Sequence, residues 1–171
     1  MNVLFKNYDN KFLEPLRTSK TIDQLNHSFK QICHAHGVRT FSIVELISNN
    51  DKPAFYTYST YPDNWIKHYI NNQYYEYDPV FVNPAHAPFP FYWHHNSVID
   101  LTKQQQDLFK EAYSFGIRSG TTIPLTPTNG KHSYLTLLNT NVANNFDLMF
   151  WMRVVGDTYF AVHNDLSAIY Y

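Results

Sequence analysis

Between Tyr61 and Trp93 the chain sets Trp65 and Tyr69 four residues apart, adds Tyr74, Tyr75 and Tyr77, and places an acid, Asp78, directly before Pro79. Aromatic bodies with polar tips suit a pocket that buries an apolar ligand and still orients a few polar groups on it. Indole N–H and phenol O–H groups donate, and an ionised carboxylate accepts from a ligand N–H. On composition alone the same stretch reads as an aromatic core, and Asp-Pro alone as a turn acid, so the weight falls on spacing. The chemistry is that of binding. No strained nucleophile turn surrounds Cys33 or any serine, so no catalytic residue is expected. The close histidine pairs His34-Ala35-His36 and His94-His95 lack further ligands at suitable spacing, so neither metal nor cofactor is expected.

The spaced set Trp65, Tyr69, Asp78-Pro79, Trp93 and Gly120 is preceded by Tyr61-Pro62 and accompanied by the run AYSFGIRSGTTIPL from Ala112 to Leu125. Together these residues resemble the ligand-binding domain of LuxR-type quorum-sensing receptors, which bind acyl-homoserine lactones. The resemblance runs over nearly the whole chain and is weakest before residue 40. It implies an α/β/α sandwich, a central antiparallel sheet flanked by helices, with ligand between the sheet and one helical layer. It also implies a role for each matching residue. Trp65 would donate its indole N–H to the lactone carbonyl, Asp78 would accept from the amide N–H, and the Tyr61 hydroxyl would meet the acyl carbonyl. Thr136 would reach that same carbonyl or hold Asp78. Trp93 would pack over the ring and Tyr69 beside the acyl chain, with Thr122 a further ligand-binding position. Pro79 and Gly120 would be structural at the site, Gly120 by permitting close packing.

Strand alternation adds one reading of its own. It puts His132, Tyr134 and Thr136 on one face and Ser133, Leu135 and Leu137 on the other. Tyr134 then faces the ligand with Thr136. Family members that accept long chains tend to have small residues there, so the resemblance implies a channel narrowed by Tyr134 and a short or bent acyl group.

The elements that must position these residues follow from periodicity and punctuation. Leu4, Phe5, Tyr8, Phe12 and Leu16 predict a helix over 3–17. Thr21 and Gln24 have capping-box spacing before the stripe Leu25, Phe29, Ile32, Cys33, which Gly37 ends. Arg39 to Ile47 and Ala54 to Ser59 predict a hairpin turned at Asn49, Asn50 and Asp51. Pro62-Asp63 opens a helix that sets Trp65 and Tyr69 on one face. The segment with Pro84, Pro88 and Pro90 reads as loop with at most a helical turn, a lid or wall over the pocket. Thr102 and Gln105 cap a helix whose stripe is Leu101, Leu108, Ala112 and Phe115, up to Gly116. Thr121 to Thr126 and His132 to Asn139 predict a second hairpin turned at 127–130. A long helix from about Ala143 carries Trp151, Val155, Val162, Leu166 and Ile169, with Gly156 as its weak point.

At 171 residues the chain suits one domain, 1–171, with a single sizeable core. Its 13 basic and 14 acidic residues form no basic stripe, so DNA contact is expected only through a helix-turn-helix domain that this chain lacks. One cysteine, Cys33, excludes an internal disulfide and suits a reducing cytosol. No apolar run approaches the roughly 20 residues that cross a bilayer, so a cytoplasmic protein without membrane contact is expected. The expected partners are a small acyl-homoserine lactone or similar signal and a second copy of the chain as a homodimer. Two alternatives remain: a naturally short anti-activator that heterodimerises with a full-length regulator, and an orphan receptor for another small molecule.

Overall fold

Alternation along strand Phe41–Asn49 (β1) sends Phe41, Ile43 and Glu45 to one side and Ser42, Val44 and Leu46 to the other. The computed structural model, which describes residues 10–49, 52–82, 89–95, 100–127, 131–138 and 145–168, carries that division across a whole sheet. The other strands are β2 (Lys52–Ser59), β3 (Phe91–His94), β4 (Ser119–Pro124) and β5 (His132–Leu138), all antiparallel to their neighbours in the order β2-β1-β5-β4-β3. Helices α1 (Glu14–Arg17), α2 (Ile22–Ala35) and α6 (Phe146–Ala168) cover one face, and α3 (Asp63–Asn71), α4 (Pro79–Val82) and α5 (Lys103–Ser114) cover the other. This is the expected α/β/α sandwich.

The first face is a closed core. Phe29, Phe41, Ile43, Leu135, Leu137 and Tyr159 are fully buried there. Phe29 meets Phe41 and Tyr159 edge-on, with centroids 5.1 and 4.8 Å apart. The Tyr159 hydroxyl donates to Asn26 Oδ1 at 2.6 Å and ties α6 to α2. Cys33 lies in this core as expected, and burial pushes its thiol well up.

The capping signals act as local chemistry requires. At α5 both halves of the box form: Thr102 Oγ1 accepts from Gln105 N at 3.3 Å, and Gln105 Oε1 accepts from Thr102 N at 3.0 Å. At α2 only one half forms, because Thr21 accepts from Gln24 N while the Gln24 side chain reaches Lys20 N instead. Gly37 ends α2 at φ +79, in the left-handed region where a side chain would strain.

Three expectations need correction. Phe91–His94 is a strand, not loop: it forms the sheet edge against β4, with Trp93 opposite Gly120. Four residues behind a proline-rich stretch have too little pattern of their own, and pairing with β4 supplies the order. Gly156 is a packing contact rather than a weak point. A Cβ there would stand 2.8 Å from a Leu125 methyl, so glycine lets α6 settle onto the end of β4. The first helix begins as a 3-10 turn, Asn10–Leu13, with Leu16 buried but Phe12 38% exposed. Leu4, Phe5, Tyr8, Asn50, Asp51, Pro84, Pro88, residues 128–130, Asn139, Ala143 and Ile169 lie outside the described residues. Among the described residues no helix is long and apolar enough to cross a membrane.

Candidate functional site

Between the sheet and the α3, α4 and α5 layer lies a cavity of about 100 Å³. Ser42 and Val44 of β1, Thr136 of β5 and Trp93 of β3 form its floor; Tyr61, Trp65, Tyr69 and Asp78 with Leu108, Phe109 and Ala112 of α5 enclose it.

Pro62 starts α3 with its carbonyl accepting from Trp65 N and Ile66 N. One helical turn then brings the rings of Trp65 and Tyr69 to 5.7 Å, edge to face. Behind Trp65, Glu111 of α5 accepts from the Tyr74 hydroxyl at 2.6 Å and bonds His68 Nε2 at 2.5 Å. These two bonds hold the Glu111 carboxyl below its ordinary range and clasp α3, the 3-10 turn Tyr74–Glu76 and α5 together. Trp65 is buried, and among the described residues nothing accepts from its indole N–H.

Asp78 is delivered by the 3-10 turn, its N–H donating to Tyr74 O at 2.8 Å. Its Oδ1 accepts from Val80 N and its Oδ2 from the Tyr69 hydroxyl, each at 2.9 Å. It is therefore a turn acid for α4 and a cavity wall at once. Tyr69, expected beside the acyl chain, also orients this carboxylate. Burial pushes the Asp78 carboxyl up to about 6 even though both bonds favour the charged form. A carboxylate can accept about four bonds, and among the described residues only these two donors reach it. Burial and the neighbouring Asp78 charge keep the Tyr61 phenol protonated, as a donor.

Trp93 is committed differently. Its indole N–H donates to Thr122 Oγ1 at 3.0 Å, and the Thr122 and Thr136 hydroxyls share a bond of 3.0 Å. Its ring lies on Gly120, where a Cβ would fall 2.6 Å from Cζ2, so glycine is required. Thr122 is not on the cavity wall and acts through Trp93 and Thr136. Tyr134 is not on it either; its ring packs against Phe81, which is, at 5.6 Å. Pro79 opens α4 beside Asp78. Sequence reasoning missed Ser42, Ile66, Phe81 and Phe109. A small polar residue on the even face of an otherwise apolar β1 was the available signal for Ser42; the others look like any core apolar residue.

The autoinducer binding domain family matches residues 21–157. The transcriptional activator CarR of Pectobacterium carotovorum subsp. carotovorum is 29% identical over 102 residues, covering 60% of this chain and 42% of that one. The chain spans about half the length of the activators it matches. CepR2 of Burkholderia cenocepacia, an N-acylhomoserine lactone dependent LuxR family transcription factor, shares the fold with a TM-score of 0.72 at 17% identity, over 95% of this chain and 94% of that one. Escherichia coli SdiA in complex with octanoyl-rac-glycerol shares it at 0.79 and 18% identity, over 98% and 68%. Relatives that regulate transcription, and a family defined by ligand binding rather than turnover, exclude an enzyme. The chain belongs to the autoinducer-binding domains of LuxR-type quorum-sensing regulators.

Proposed function

We propose that the cavity receives a short acyl-homoserine lactone. The observation that carries this reading is a buried carboxylate with unused acceptor sites, Asp78, on the same small cavity as the unbonded Trp65 N–H. The ligand amide N–H fits the first and the lactone carbonyl the second. Tyr61 and Thr136 donate to the acyl carbonyl, since Thr122 already accepts from Trp93 and can pass its own proton toward Thr136. Trp93 covers the ring, and Tyr69 fixes Asp78. In the whole regulator, ligand-stabilised domains pair as a homodimer and control DNA through a separate region. The protein acts in the cytoplasm.

A second reading, an orphan receptor for another acyl compound, is favoured by the octanoyl-rac-glycerol complex of SdiA. Mass spectrometry of whatever co-purifies with the protein separates the two. A homoserine lactone of short chain supports the first; an acylglycerol, or a ligand without a donor for Asp78, contradicts it.

A further inference from the structure

The cavity comes nearest to solvent at the end of α3. Ile70 lines it and is 42% exposed, and Tyr75, also on its wall, is half-buried. Between them Gln73 enters the 3-10 turn at φ +53, a left-handed conformation uncommon for any residue but glycine. Among the described residues, three side-chain bonds tie this stretch to α5. Gln105 Nε2 donates to Tyr77 O at 3.0 Å, and Glu111 takes both the Tyr74 hydroxyl and His68 Nε2. Glu111 thus grips the chain on either side of Gln73: His68 in the last turn of α3 and Tyr74 at the start of the 3-10 turn. It does not line the cavity, and its side chain is 45% exposed. Tyr74 meets Trp65 and Tyr69 at 6.0 and 5.7 Å, and His68 stacks on Phe115 at 5.6 Å, ring contacts that do not need the carboxylate.

We infer that Glu111 latches the mouth of the cavity and so sets how fast a ligand enters and leaves. This rests on the reading of the cavity as the ligand site. A molecule enclosed by Trp65, Tyr69 and Asp78 has to pass this rim, and Asp78 hangs from the same turn through its N–H to Tyr74 O at 2.8 Å. Movement of Tyr74 away from Glu111 therefore carries the Asp78 wall with it. Bonds made when the rim is closed and lost when it opens raise the barrier to entry and exit alike. Glu111 is in this sense a positioning residue, acting on the turn rather than on the ligand.

The experiment follows butanoyl-homoserine lactone by stopped-flow tryptophan fluorescence in the wild type, Glu111→Ala and Tyr74→Phe. The second variant loses only a hydroxyl and keeps its ring contacts, which guards against a failure of the first to fold. In Glu111→Ala the association and dissociation rates both rise, by about fivefold or more for two lost bonds, and in Tyr74→Phe both rise by a smaller factor. A merely structural role raises the dissociation rate alone; that result, or unchanged rates, overturns the inference. Hydrogen exchange on the ligand-free proteins tests the latch without any lactone. The amides of 74–78 exchange faster in both variants, by about fivefold or more in Glu111→Ala, while those of α2 and α6 keep their wild-type rates. Equal exchange at 74–78 in all three proteins overturns the latch. A wild type that binds no lactone, with faster exchange at 74–78 in the variants, overturns the lactone reading and leaves the latch standing.

Discussion

The two faces of one sheet follow different rules. On the α6 face, Phe29, Phe41, Ile43, Leu135, Leu137 and Tyr159 leave no exposed surface, and the buried Glu45 there is paired with Lys131 at 2.9 Å. On the α5 face the same sheet presents Ser42, Thr136 and Trp93 to a cavity with a buried carboxylate. Even and odd positions of one strand thus divide folding from binding. The first face is filled mainly by apolar side chains, and the second keeps a cavity beside a buried carboxylate.

Asp78 gives that difference a sign. Its carboxyl is pushed up from the ordinary 3.8 to about 6 by burial. Below the lower value it is protonated in folded and unfolded chains alike. As pH rises toward 6 the unfolded chain ionises first, so stability present in acid is lost, by roughly 3 kcal/mol once neutral pH is reached. A ligand N–H donating to the charged form returns part of this, and ligand in hundredfold excess over its Kd adds about 2.7 kcal/mol. Ligand binding is therefore expected to offset about as much stability as the buried charge costs.

The contrast breaks most severely at the closed face. Phe29→Ala should cost about 3–5 kcal/mol by cavity formation, and a saturating ligand should leave that loss unchanged in thermal melts. Asp78→Asn should do the reverse. The ligand-free variant should gain up to roughly 3 kcal/mol near pH 7 and lose the fall in stability between pH 4 and 6, while affinity drops by about 1.5–3 kcal/mol with the charge-assisted bond. Melts across pH together with titration calorimetry read both effects. Trp65→Phe keeps most ring packing and removes one donor, so binding should weaken by about 1–3 kcal/mol. A melting point that falls equally with and without ligand would make Trp65 core alone. The smallest expected effect is at Tyr134, which acts through Phe81. Tyr134→Ala should let Phe81 move outward and shift preference toward longer chains, by about 0.8 kcal/mol for each methylene newly buried. An unchanged ranking across a chain-length series would remove Tyr134 from the channel.

Much of the arrangement was legible because it is written locally. The Thr102 and Gln105 box, the stripe Leu25, Phe29, Ile32, Cys33, and the i,i+4 pair Trp65 and Tyr69 depend on neighbours in sequence. The rest depends on what lies opposite in space. Phe91–His94 becomes a strand because Gly120 accepts the Trp93 ring across the ladder. Phe109 reaches the cavity from a position the chosen stripe skips. Thr122 stands behind the wall rather than on it because Trp93 has already taken its oxygen. That Tyr69 grips Asp78 could not be read from spacing, since it needs the 3-10 turn that folds Asp78 back over α3.

The central claim is that Asp78 must be ionised to hold the signal. The direct measurement is calorimetric titration of butanoyl-homoserine lactone near pH 6, in buffers of different ionisation enthalpy, which counts protons exchanged on binding. With its carboxyl at about 6 in the free protein, Asp78 is roughly half protonated there. Binding should therefore release roughly half a proton in the wild type and none in Asp78→Asn. Binding with no proton release, or with equal release by both proteins, would contradict the account.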